Sequence, residues 1–291
     1  MRHGAGRRLL PVLAAMTALS IVSCGLEDAS EPGTTVPGVQ LPASHDLLVV
    51  GDWGSGTASQ ERVAEAMADH ASDRDVAAIV TTGDNLYSDD VDSLMEPFAW
   101  TSGRDIPLLV SWGNHDLDTT RRIELVEETF GGAPRWVVHE WGEVDIVILD
   151  STQVESRAQV GFLVQALEES EDPTIVVFHH PPYSCGSHGG SEEVLDQWIS
   201  RFDDDVFLVL NGHEHNYQRF DSDGVAYVVT GGGGRSLTEL ADCSSDHPER
   251  IAGAETHHFV SMRMSDGLDV TVIDSGGAVI DEFSLVLPSR R

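Results

Sequence analysis

From about residue 45 onward, short apolar runs alternate with longer stretches whose apolar positions recur every three or four residues. The first pattern suits buried strands and the second suits amphipathic helices. Strands are expected at residues 47–50, 76–80, 108–111, 144–149, 175–178 and 206–210. Helices are expected at 59–70, 121–130, 157–169 and 192–202, where Val63 and Met67, or Phe162, Leu163 and Leu167, mark an inward face. Towards the carboxyl end the helices drop out. Residues 225–230, 259–264, 269–273 and 279–287 read as strands, with turn residues at Ser265-Asp266-Gly267 and Ser275-Gly276-Gly277. With no internal repeat, the pattern is that of one α/β domain with two packed sheets flanked by helices.

Polar residues gather where the apolar runs stop. Gly51-Asp52-Trp53-Gly54, Gly83-Asp84-Asn85-Leu86-Tyr87, Gly113-Asn114-His115-Asp116, His179-His180-Pro181-Pro182-Tyr183 and Gly212-His213-Glu214-His215-Asn216-Tyr217 each follow such a run. These are the carboxyl ends of strands, where α/β sheets build their sites. Any one Gly-containing cluster is ordinary turn composition. Five together bring carboxylates, an amide, a phenol and several imidazoles to one sheet edge, a set with no apolar use and costly to hold unpaired. Two divalent or trivalent cations would compensate those charges and accept those ligands. No Gly-x4-Gly-Lys phosphate loop competes with this reading. The run Gly231 to Gly234 follows a strand and lets the backbone come close to the same edge.

A chain of 291 residues, 41% of them hydrophobic, can bury the core of one large domain. Charge adds more. Asp and Glu number 49 against 17 basic residues, every one of them Arg, for a formal net charge of -32. So acidic a body repels phosphate backbones and argues against general nucleic-acid binding. At the amino end, Arg2, Arg7 and Arg8 precede an apolar stretch, residues 9–22, too short and too broken by Pro11, Thr17 and Ser20 to span a membrane. It ends Ile21-Val22-Ser23-Cys24, which resembles the bacterial lipobox. Residues 1–23 are therefore expected to be a lipoprotein signal peptide, Cys24 the lipidated residue, 24–44 a flexible tether and 45–288 the functional domain. The expected location is exported, at the cell surface or membrane, with the lipid as the only membrane contact. Cys185 and Cys243 lie in polar, loop-like sequence. In an oxidising compartment they can pair or remain two thiols; the expectation carried forward is a disulfide.

The five clusters, in this order, resemble the motifs of the calcineurin-like metallophosphoesterases, and among them the purple acid phosphatases, especially the small single-domain, tartrate-resistant type. The resemblance spans about residues 47–234. One exchange makes it specific. Most of the wider superfamily carries Asp-x-His in the first motif, whereas here Gly54 takes the His position and Tyr87 stands three residues after Asp84, as in the purple group. The resemblance implies a four-layer αββα metallophosphoesterase sandwich of two packed mixed sheets flanked by helices. It assigns Asp52, Asp84, Tyr87 and His215 to a first metal, and Asp84, Asn114, His179 and His213 to a second, with His180 and His115 not ligands. The first set is hard and anionic and suits Fe(III); the second is softer and suits a divalent Fe, Zn or Mn.

A hydroxide activated by those metals is the implied nucleophile towards phosphorus. His115 resembles a phosphate-contacting histidine, and His188, in Ser187-His188-Gly189, resembles a general-acid candidate. The expected activity is that of a phosphomonoesterase, an acid phosphatase, on a small phosphate ester. A phosphodiesterase acting on cyclic nucleotides or phospholipid headgroups is the alternative, and a non-catalytic surface binding protein a more distant one. Without the amino-terminal sandwich of the large plant-type enzymes, the chain is expected to be a monomer. Arg121, Arg122 and Arg219 can either reach an anionic substrate or form surface ion pairs.

Overall fold

In a computed structural model, residues 38–244 and 247–290 are described; the expected signal peptide, Cys24 and the expected tether as far as residue 37 lie outside them. One sheet has six strands, in spatial order β14 (Val279–Leu285), β13 (Leu268–Asp274), β12 (His258–Met264), β2 (Asp46–Val50), β3 (Val76–Thr81) and β4 (Leu108–Val110). The pairs β2–β3 and β3–β4 are parallel, and the pairs from β14 to β2 are antiparallel. The other sheet has eight strands, in the order β1 (Gln40–Leu41), β5 (Val137–Trp141), β6 (Val144–Ile148), β7 (Thr174–Val177), β8 (Val206–Asn211), β10 (Val225–Thr230), β9 (Tyr217–Ser222) and β11 (Arg250–Ala254). Its centre, β6–β7–β8–β10, is parallel, and antiparallel pairs flank it.

Alternation along the strands divides the apolar side chains between two faces. Leu47, Val49 and Val80 of the smaller sheet meet Ile146, Ile148, Ile175, Val177 and Leu208 of the larger one in a single buried cluster. The outward residues Leu48, Val50 and Ile79 pack against Val63, Ala64 and Met67 of α1 (Ala58–Ala71). Short helices α2 (Val91–Met95) and α3 (Ala99–Ser102), then α4 (Thr120–Thr129), follow on the connections after β3 and β4. Val147, Val176 and Val209 pack outward against Leu163 and Leu167 of α5 (Arg157–Glu169), and against Val194 of α6 (Glu192–Gln197). The result is helix, sheet, sheet, helix, the four-layer α/β sandwich that the sequence implies. Strands buried on both faces explain the unbroken apolar runs. Helix starts are set by hydroxyl caps: Thr57, Thr119, Ser156 and Ser191 each accept a backbone N–H three residues on.

Four strands escape the apolar pattern. β9 begins inside the fifth polar cluster and β11 is half exposed, so neither shows a continuous apolar run. β5 carries His139 and Glu140. Strand β1 lies where a tether was expected: Leu41 is buried, β1 pairs with Glu140 and Trp141 of β5, and the Val39 N–H donates to His139 Nδ1 at 3.0 Å. The helix expected over 192–202 stops at Gln197 and continues as a separate 3-10 turn, Ile199–Arg201. Among the described residues, no helix is long and apolar enough to cross a membrane.

Candidate metal centre

All five clusters stand at carboxyl ends of parallel strands: those of Asp52, Asp84 and Asn114 after β2, β3 and β4, and those of His179 and His213 after β7 and β8. The chain turns sharply there. Asp52, Asp84 and His213 all adopt positive φ, at 56°, 51° and 69°. Strained backbone of this kind, about 1–3 kcal/mol per residue, persists only where surroundings over-determine it and concentrates at functional sites. Here the surroundings are explicit. The His213 N–H donates to Asp52 Oδ2 (2.9 Å), and the His115 N–H donates to Asp84 Oδ1 (2.8 Å), so one oxygen of each carboxylate is held and the other faces the centre.

The side chains form two overlapping sets. Tyr87 Oη lies 3.1 Å from Asp52 Oδ1, 2.9 Å from Asp84 Oδ2 and 3.4 Å from His215 Nε2, and His215 Nε2 is 3.3 Å from Asp52 Oδ1. On the other side, His179 Nε2 is 3.4 Å from Asp84 Oδ2 and 3.2 Å from Asn114 Oδ1, and its ring is 5.1 Å from that of His213. Asp84 belongs to both. The Nδ1 atoms of His179 and His215 donate to the carbonyls of Thr82 (2.9 Å) and Ser236 (2.8 Å), turning each Nε2 inward, the arrangement that metal-ligating histidines use. The chain thus brings Asp52, Asp84, Tyr87, Asn114, His179, His213 and His215 to one place.

Electrostatics favours a cation there. Asp52 and Asp84 are fully buried, and a single phenolic proton on Tyr87 can satisfy only one of the two carboxylate oxygens beside it at a time. Burial, then the Asp52 and Asp84 charges, push the Tyr87 phenol far above its ordinary pKa. Burial works against the His179 imidazolium, but Asp84 outweighs it and raises that pKa to about 10. Burial likewise opposes ionisation of Asp84, yet His179 and His115 hold it well below the usual carboxylate range. A proton on His179 therefore balances the buried carboxylates, and a metal cation would take over that role and invert the local acidities. Burial and the neighbouring imidazoles lower His213 to about 2 and His180 to about 3, leaving both neutral and able to donate a lone pair. The donor set fits two cations.

Three further groups of the polar clusters lie against the same site. His180, read as lying outside the ligand set, has a ring nitrogen within 4.8 Å of those of His179 and His213, while its Nδ1 meets Ser151 Oγ at 2.8 Å. Asp116, fully buried, receives the N–H groups of Asn85 (2.9 Å), Leu86 (3.0 Å) and Gly113 (2.9 Å) and so ties the second motif to the third. Burial, then the Asp84 charge, raise its pKa to about 7. Glu214, also buried, accepts the backbone N–H groups of His188 and Gly189 and the Thr238 hydroxyl, and lies 3.4 Å from His188 Nδ1. Both carboxylates stand inside the polar clusters, Asp116 beside His115 and Glu214 between His213 and His215, and their roles as acceptors of loop N–H groups emerge only from the fold.

His188 is half exposed, with its ring 4.6 Å from that of His213. His115 sits on the Tyr87 side, its ring 4.7 Å from the phenol ring and its Nδ1 2.9 Å from Asp118 Oδ2. Cys185 and Cys243 are joined as a disulfide with Cα atoms 4.9 Å apart, linking the His179–His188 loop to the segment after the glycine run. Arg219 pairs with Asp281, Arg121 with Glu124 and Glu128, and Arg122 with Asp89 and Asp118, so all three form ion pairs.

A model of the calcineurin-like phosphoesterase family matches residues 45–217. The chain belongs to that family. Purple acid phosphatase 3 of Arabidopsis thaliana is 27% identical over 279 residues, covering 81% of this chain and 76% of its own. A probable cyclic nucleotide phosphodiesterase of Synechococcus sp. is 29% identical over 173 residues, covering 53% of this chain and 60% of its own. The structure of a purple acid phosphatase from yellow lupin seeds matches with a TM-score of 0.69 at 18% identity, over 83% of this chain and 53% of that one, a likeness of fold. Within the calcineurin-like family the chain falls in the purple acid phosphatase group and is a phosphoester hydrolase.

Proposed function

We propose that this phosphoesterase is a binuclear phosphomonoesterase, with Fe(III) held by Asp52, Asp84, Tyr87 and His215 and a divalent ion held by Asp84, Asn114, His179 and His213. The observation that carries this reading is the Tyr87 hydroxyl set between Asp52 and Asp84, both buried, and beside His215. A phenolate with two carboxylates makes a hard, anionic donor set suited to a trivalent ion. When bound, such a pair of metals binds phosphoryl oxygens and activates water for in-line attack at phosphorus.

The remaining tasks fall to the chain. Glu214 holds the His188 backbone and faces its Nδ1, which leaves Nε2 to give a proton to the leaving oxygen. The P–O ester bond breaks, the alkoxide takes that proton as an alcohol, and phosphate remains. Asp118 fixes His115 through Nδ1, leaving its other nitrogen for a phosphoryl oxygen. A cleft of about 850 Å³ beside Asn114 and His180, lined by Ser151, Thr152, Gln153 and Ser156, offers room and hydroxyl groups for the alcohol portion of a small ester. The chain is further read as an exported monomer anchored through Cys24; fractionating membranes from cells that carry Cys24→Ala tests the anchor, and an unchanged membrane share would remove it. Rates on p-nitrophenyl phosphate and on its bis ester, measured beside metal analysis, test the function. Two metals per chain and a preference for the monoester are expected; a preference for the bis ester would make the enzyme a diesterase, and a metal-free active enzyme would end the binuclear reading.

A further inference from the structure

The arginines near the centre are mostly neutralised. Arg122 is shared by Asp89 and Asp118, Arg135 pairs with Asp150 at 2.9 Å, and Arg219 pairs with Asp281 at 2.7 Å. Arg235 differs. It is exposed, it forms no ion pair with a carboxylate among the described residues, and its guanidinium carbon lies 4.7 Å from the centroid of the Tyr87 ring. Over an aromatic face, the ring quadrupole attracts a cation and helps to hold it in place.

Its position is fixed by the backbone and not by chance packing. The Arg235 N–H donates to the Asp52 carbonyl at 3.1 Å, and the Gly233 N–H donates to the Gly51 carbonyl at 2.9 Å. Ser55 Oγ and Thr57 Oγ1 both donate to the Gly234 carbonyl, at 3.0 and 2.8 Å. A side chain at Gly231 would place its Cβ 2.2 Å from the Glu214 carbonyl oxygen, and one at Gly233 would come within 2.3 Å of the Gly51 carbonyl oxygen. The glycine run therefore exists to lie flat on the first motif. On the far side, the Ser236 carbonyl accepts from His215 Nδ1, and the Thr238 N–H donates to the His215 carbonyl at 3.1 Å. Arg235 is thus clamped between contacts to Asp52 and contacts to His215, two of the residues assigned to the first metal.

We propose that Arg235 is the anion-recruiting, specificity-determining residue of this centre: its guanidinium attracts the phosphoryl group across about 7 Å of solvent and favours dianionic monoesters over monoanionic diesters. The proposal rests on the phosphoesterase reading of the site. On a chain of net charge -32, an anionic substrate approaches against the overall field, so an uncompensated cation at the mouth counts for more than on a neutral surface. Guanidinium keeps its charge at any working pH. At roughly 7 Å in a water-like dielectric, each unit of substrate charge gains about threefold in affinity. A dianion then gains about tenfold and a monoanion about threefold.

The test compares wild type with Arg235→Gln and Arg235→Lys at a pH of about 7.5, where a phosphate monoester is a dianion. It uses p-nitrophenyl phosphate, bis(p-nitrophenyl) phosphate, and inorganic phosphate binding by titration calorimetry, with metal content measured on each protein. Expected for Arg235→Gln are a rise of about tenfold in the monoester KM and the phosphate Kd and about threefold in the bis ester KM, a smaller change in kcat, and unchanged metal content. Lys, which keeps the charge, should restore most of the loss. Equal KM changes for the two esters, no rescue by Lys, or metal loss in Arg235→Gln would overturn the proposal and leave Arg235 as a packing partner of Tyr87. If wild type hydrolysed neither ester, the functional reading would fail, and the phosphate Kd of the three proteins would still decide the role of Arg235.

Discussion

Replacing both Cys185 and Cys243 by Ala removes the cross-link while leaving much of the surrounding structure in place. The Cys185 N–H still donates to Gln218 Oε1 (2.8 Å), and the Ala241 N–H still donates to the Cys185 carbonyl (2.7 Å). Native geometry should therefore survive, and the effect should come from the unfolded chain. The bridge spans 58 residues. Loop-closure entropy for a ring of that length amounts to about 4 kcal/mol at 25 °C. For a domain of this size, each kcal/mol shifts the melting temperature by about 2–4 °C, so the variant should melt roughly 8–16 °C lower. Guanidinium unfolding of the oxidised wild type, the wild type with reductant and the double variant supplies the assay. Reduced wild type keeps the sulfur packing, so it isolates the cross-link from the loss of two Sγ atoms. Activity at 25 °C should persist, because Glu214 continues to hold His188. Coincident transitions for oxidised and reduced wild type would refute the reasoning, as would a variant that lost activity without losing stability.

Other outcomes are equally direct. Tyr87→Phe should bleach a visible phenolate-to-iron band and leave the fold intact; a colourless, iron-free, fully active wild type would overturn the ferric assignment. His188→Ala should slow alkyl phosphates far more than aryl phosphates, whose leaving group hardly needs a proton, with metal content unchanged; equal slowing of both would assign His188 to positioning instead. Stability should fall in acid through His139 and His258, each lowered by burial to about 4. Between the unfolded value of about 6.5 and the folded value, the unfolded state binds protons that the folded state refuses, so each His takes away up to about 3 kcal/mol as the pH drops from 7 to 4. Denaturant midpoints across that range check this, and an unchanged midpoint would contradict the buried neutral rings.

The alternation of apolar runs and amphipathic stretches was enough to place ten strands and four helices close to where they lie, because strands buried on both faces and helices with one inward face leave strong periodic marks. Strands β1, β5, β9 and β11 left none: β1 is two residues long, and β11 buries none of its five side chains fully. At the site, Asp, Tyr, Asn and His were legible because each stands in a polar cluster that follows an apolar run. Asp116 and Glu214 were not, since they act by accepting backbone N–H groups from loops whose path the linear order does not reveal. Arg235 was hidden for a similar reason. Only the fold shows that a glycine run after β10 lies against the residues that follow β2.

The division of the candidate ligands between the sheets has a consequence for evolution and engineering. Asp52, Asp84, Tyr87 and Asn114 ride on the six-stranded sheet, whereas His179, His213 and His215 ride on the eight-stranded one. The distance between the two halves of the centre is therefore set by the thickness of the apolar layer between the sheets, by Val49 and Val80 against Val177 and Leu210. Because interiors are close-packed and transmit strain, a methyl group added or removed in that layer acts as a shim beneath a coordination sphere. Variants that shift rate or metal preference need not touch a ligand. They can arise in the middle of the sandwich, at side chains that never see solvent or substrate.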